Sequence, residues 1–172
     1  MTGLSLTELA ALAEIIGAGT IITGLFFGWF QVRQFRIQQR NSVATNLAQT
    51  FYSPDLARAI TLLRGLPDGI SAEDLRSRGP EYEHAAVTVT TSFETMGLLV
   101  FKGVASFDMV MDLAGGIVSV MHRKLANWEK TLRQEQEQPS WGEWFEWLAD
   151  RAAEHEAGSE PAYIAHRNWS PP

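Results

Sequence analysis

From Ile15 to Phe30 the chain runs IIGAGTIITGLFFGWF, with no charged side chain. The apolar stretch reaches back to Leu9, making 22 residues from Leu9 to Phe30. As a helix these would extend about 33 Å, against a hydrocarbon core of about 30 Å. The sequence therefore predicts a transmembrane helix over 9–30, with Glu14 near the outer interface. Ser5 and Glu8 have capping-box spacing and give that helix a start. A cleaved signal peptide fits less well, because no Lys or Arg precedes Arg33 and Gln31-Val32-Arg33 is a poor cleavage site. A buried helix of a water-facing domain also fits less well, because Ile21-Ile22 and Leu25–Phe30 leave no polar face.

Arg33, Arg36 and Arg40 all follow the apolar run, and no acid occurs between Gln31 and Tyr52. Basic flanks stay cytoplasmic, so residues 1–8 are expected outside and the rest inside. Trp29, Arg33, Arg36 and Arg40 then sit at the membrane surface, Trp29 as part of an aromatic belt. Within the run, Thr20, Gly24 and Gly28 recur every fourth residue as a GxxxG-type stripe. Small residues at that spacing let a second helix approach closely. These three are the expected helix-packing residues, with self-association and a different partner both open.

Beyond residue 30 the pattern is helical throughout. A basic stalk helix is expected over 31–52, a helical domain over 53–157 and an extended tail over 158–172. Ser53-Pro54-Asp55 is a helix start: an N-cap, a proline at the first position and an acid in the first turn. Ser71-Ala72-Glu73-Asp74 repeats the logic. Val87–Thr91 alternates like a β-strand. The longer series Tyr82, Ala86, Val89, Phe93, Met96 and Val100 keeps helical spacing and outweighs it. Lys102-Gly103 ends that helix, Ser106 starts another that runs to about Gln138, and Pro139-Ser140 starts the last. The fold class is all-α: one N-terminal transmembrane helix continuing into a stalk, then a bundle of four to five helices. The Gly115-Gly116 pair suggests close packing or a bend.

Chemistry is sparse. The chain has no cysteine, so disulfides, thiolate metal sites and cysteine nucleophiles are excluded. Its net charge of -6 argues against a nucleic-acid partner. There is no P-loop, G-x-S-x-G or G-x-G-x-x-G. Glu81 and His84 have the Glu-x-x-His spacing of di-iron bundles, but no second such pair exists, and a solvated first turn is the simpler reading. Glu94 is the expected buried carboxylate, in a structural hydrogen bond or a salt bridge with an arginine. Trp141, Trp144 and Trp147, three apart, are core packing or a protein interface. No catalytic residue, cofactor, metal or small-molecule substrate is expected.

Phe51-Tyr52-Ser53-Pro54, Phe93-Glu94-Thr95-Met96-Gly97, Lys102-Gly103, Trp128 and Phe145-Glu146-Trp147-Leu148 follow an N-terminal anchor. Together they resemble an uncharacterised family of small bacterial single-pass membrane proteins with a cytoplasmic helical domain of unknown function. The resemblance covers most of Gln31–Arg151. It implies a bacterial inner-membrane location and no enzyme, and carries over no catalytic residues. The function expected is a membrane-anchored, non-enzymatic interaction protein, an accessory or scaffold subunit. Its partners would be the lipid bilayer and either further copies of itself or a membrane complex. The alternative is a regulatory or sensory module controlling a membrane partner such as a channel or transporter.

Overall fold

A computed structural model describes residues 19–34 and 53–170, together with residues 7, 10, 14, 16, 17 and 49. The chain divides into two compact units, Met1–Ser42 and Val43–Pro172. Every described element is helical.

In the first unit, helix α1 is described over residues 19–34. This corrects the expected topology. Among the described residues no helix is long and apolar enough to cross a membrane. The transmembrane assignment of 9–30, the single-pass anchor and the inner-membrane location are all overturned. The proposed Ser5–Glu8 cap, Arg36, Arg40 and most of the expected 31–52 stalk lie outside the described residues.

The second unit contains α2 (Pro54–Arg64), α3 (Ala72–Ser77), α4 (Pro80–Phe101), α5 (Phe107–Glu135), α6 (Glu143–Gly158) and the single turn α7 (Ala162–Ala165). α2 starts as expected: the Ser53 hydroxyl accepts from the Leu56 N–H at 3.3 Å. Ser71 caps α3 by accepting from the Asp74 N–H at 3.0 Å. Leu56, Ala59 and Leu63 form the buried face of α2. The segment between α2 and α3 is pinned to α5. Gly69, at φ +67°, donates its N–H to the Arg123 carbonyl at 2.8 Å, and Ile70 donates to the Lys124 carbonyl at 3.1 Å. The Lys124 ammonium donates to the Leu66 carbonyl and pairs with Asp68 at 3.2 Å. A buried lysine is tolerated because its charge is fully partnered.

The strand-like Val87–Thr91 stretch lies inside α4. Three of its neighbourhood threonines bond back to the preceding turn: Thr88 to the His84 carbonyl, Thr91 to Val87 and Thr95 to Thr91. Helical burial of Ala86, Val89, Phe93 and Met96 outweighs their β-branched neighbours. α5 buries Val110, Ala114, Val118, Met121, Leu125, Trp128 and Leu132 along one side. It stays helical through Gly115-Gly116. α6 closes the bundle, with Phe145 and Leu148 fully buried and the Phe145 ring 5.2 Å from Phe93.

Candidate functional site

α4, α5 and the first turn of α6 meet around two carboxylates. Glu94 is the first. Its Oε2 accepts from the backbone N–H groups of Trp144 and Phe145, both at 2.9 Å. The N–H groups at a helix start have no partner in their own helix, and a carboxylate there also meets the positive end of the helix dipole. α6 has no side-chain cap of its own, so Glu94 supplies one from α4. Three residues on, Gly97 lets the helices touch. A Cβ there would overlap the Trp144 carbonyl oxygen and lie 2.8 Å from its carbonyl carbon. Burial pushes the Glu94 carboxyl up, while the Phe145 and Trp144 N–H groups pull it down.

Glu129 is the second, and it is buried far more completely, at 1% exposure. Its Oε1 accepts from the Thr90 hydroxyl at 2.8 Å. Its Oε2 has no hydrogen-bond partner among the described residues. His122 Nε2 is 3.9 Å from that oxygen, too far for a hydrogen bond. Gly142, at φ +68°, presents its backbone to the carboxylate. A Cβ built there would lie 3.4 Å from Cδ and from both oxygens. Burial pushes the Glu129 carboxyl up to about 7, opposed by the Thr90 bond and the Arg133 charge. Burial also pushes His122 down from 6.5. Both shifts favour the uncharged forms, because a low-dielectric interior disfavours an isolated charge.

Arg133 ties the site to the 136–142 turn. Its Nε donates to the Trp141 carbonyl at 2.6 Å and its Nη1 pairs with Glu146 at 2.8 Å. Arg133 Nη2 and the Trp141 indole N–H are buried without a described acceptor. Thr90, Glu94, Ser140, Trp141 and Gly142 help line a small open cleft over this turn. No nucleophile–base pair is assembled here, and among the described residues no group of three His, Asp or Glu side chains could hold a metal ion.

The structure separates the three tryptophans. Trp144 and Trp147 surround Phe101, with ring centroids 4.5 and 5.9 Å from it, and Phe101 itself is 54% exposed. Trp141 lies in the turn beside Arg133 instead. Glu81 and His84 line a different surface pocket with Asp55 and Arg58. On α1, the Arg33 guanidinium lies 5.9 Å over the Trp29 ring. Thr20 and Gly24 line a groove with Ile16, Gly19, Thr23 and Phe27. A Cβ on Gly24 or Gly28 would meet nothing within 4 Å.

Sequence reasoning missed Glu129. The signal was present, since Val118, Leu125 and Leu132 repeat every seven residues and His122 and Glu129 fall beside them in the same register. Of the two roles expected for Glu94, the structural hydrogen bond is the one formed, with backbone N–H groups rather than an arginine.

These features define an all-α bundle whose site is a buried acid–histidine cluster. A family described as a domain of unknown function, DUF4760, matches residues 18–152, and the chain belongs to that family. No curated protein and no solved structure matches it.

Proposed function

We propose that this chain is a non-enzymatic helical interaction protein that assembles with further copies of itself through α1. One observation carries this reading. Ile21, Ile22, Leu25, Phe26, Phe27, Trp29, Phe30 and Val32 are each between 55% and 70% exposed. Together they cover about two thirds of the circumference of α1, and Thr20, Gly24 and Gly28 line the remainder, so a single partner on one face would leave the others in water. An apolar surface this continuous marks an interaction site. A helix that is apolar all round belongs in the interior of an assembly. A closed symmetric set of identical helices meets that need with one surface. The groove beside Thr20 and Gly24, continued by Gly28, sets where two such helices approach most closely.

The absence of native cysteine makes the test direct. Gly24→Cys in the full chain, oxidised under mild conditions, should give a disulfide-linked dimer in high yield, and Arg64→Cys on the second unit should give little. Equal cross-linking at both positions, or none at residue 24, contradicts the reading.

A further inference from the structure

The geometry around Glu129 points to a function separate from assembly through α1. We propose that Glu129 is a buried proton switch: uncharged, it seats the 136–142 turn and the first turn of α6 against α4 and α5, and on ionising it releases them.

The argument begins with hydrogen-bond supply. A buried carboxylate is stable when several donors surround it. Glu129 has one, the Thr90 hydroxyl, and its Oε2 has none among the described residues. The groups facing it from the surrounding elements do not supply the deficit. From α4 come Thr90 and Glu94, the second an acid. From α5 come His122, whose burial favours the neutral ring, and Arg133, whose Nε and Nη1 are held by Trp141 and Glu146 and whose Nη2 meets no described acceptor, Glu129 included. From α6 come Glu146, a further acid that raises Glu129, and Asp150, which bears on His122. An ionised Glu129 therefore gains more from water than from its protein neighbours.

The neighbour best placed to yield is the 136–142 turn. Gly142 packs on the carboxylate, and the cleft beside it is walled by Thr90, Glu94, Ser140 and Trp141. Movement of the turn at Gly142 would hydrate Glu129 and would break the bonds from Trp144 and Phe145 to Glu94. Trp144 also packs on Phe101, so the proton state would reach the exposed Phe101 and the half-buried Trp144 and Trp147 around it.

The sign follows from linkage. The folded carboxyl sits at about 7, against 4.5 when it is open to water. A raised folded value gives stability that is present at low pH and lost as pH rises through about 7. Between pH 6 and pH 8 the constant for local opening should rise about tenfold. His122, depressed below 6.5, acts with the opposite sign and at lower pH, so it does not produce this rise.

The experiment is amide hydrogen exchange on the full chain at pH 6 and pH 8, corrected for intrinsic rates. In the wild type, protection at Trp144 and Phe145 should fall about tenfold, while Leu63 in α2 should change little. In Glu129→Gln, which keeps shape and removes the charge, the fall should disappear. A tenfold fall that persists in Glu129→Gln, or no fall in the wild type, overturns the proposal. Should Glu129→Gln not fold, carbon NMR of the wild-type Glu129 carboxyl decides. A midpoint near 7, with the Gly142 and Trp144 amides shifting over the same range, supports the switch. A midpoint in the ordinary glutamate range overturns it.

Discussion

Gly97→Ala tests the packing that builds the site, because two opposing effects predict opposite signs. Alanine is the better helix former by about 1 kcal/mol, so in an open helix the substitution stabilises. At residue 97 the new methyl would overlap the Trp144 carbonyl oxygen, lie 2.8 Å from its carbon and 3.1 Å from the Trp144 Cβ. Carbon–carbon contacts are comfortable near 3.5–4.0 Å. The obstruction is backbone, which cannot rotate aside as a side chain can, so α4 and α6 must separate by roughly 1 Å to restore ordinary spacing. Overpacking of a well-packed core costs about 1–3 kcal/mol, and an immovable neighbour places this case at the upper end. The same separation stretches both bonds to Glu94. Those are charge-assisted, so their weakening adds about 1 kcal/mol. Offsetting the gain in propensity leaves a net loss of about 3 kcal/mol. Urea denaturation followed by far-UV circular dichroism reads this as a lower midpoint with an unchanged slope. A Gly97→Ala chain as stable as the wild type, or more stable, would refute the close crossing of α4 and α6.

Gly116→Ala provides the opposite case. Its Cβ would meet only the Glu156 carboxylate tip, at 3.3 Å, which can swing away. It should raise stability by up to about 1 kcal/mol in the same denaturation series. Glu94→Ala removes the cap on α6 and should cost about 2 kcal/mol, with the exchange of the Trp144 and Phe145 amides rising most. Glu129→Gln should remove the loss of stability that the wild type shows as pH rises from 5 toward 7.5. It should also expose the contrary trend of His122, whose depressed value makes stability fall as pH drops below about 6.5.

Local signals in the sequence were sufficient wherever the structure is local. Ser53-Pro54, Ser71 and Lys102-Gly103 mark the ends of α2, α3 and α4 because caps act within one turn. The helical period of Tyr82–Val100 outweighed five β-branched residues because it extends over the whole element. Legibility ended where partners are distant in the chain. The cap of α6 is Glu94, fifty residues from Trp144. Nothing near Pro139-Ser140 shows this, so the helix starts at Glu143 rather than at the serine. The Gly115-Gly116 pair suggested tight packing, yet their Cβ positions meet flexible side-chain ends. The tight position is the single Gly97. The expected span over 9–30 is overturned, since among the described residues no helix is long and apolar enough to cross a membrane.

The central claim is that α1 is an assembly surface, and mass in solution tests it most directly. The full chain should be measured by sedimentation equilibrium in aqueous buffer over a range of protein concentrations, beside Gly24→Leu, Gly28→Leu and the control Ile22→Leu. The account predicts a wild type and an Ile22→Leu variant at a multiple of the 19.1 kDa chain mass. Both leucine variants at the glycine positions should shift toward the single-chain mass. A wild type at 19.1 kDa at every concentration, or glycine variants that keep the wild-type mass, would contradict it.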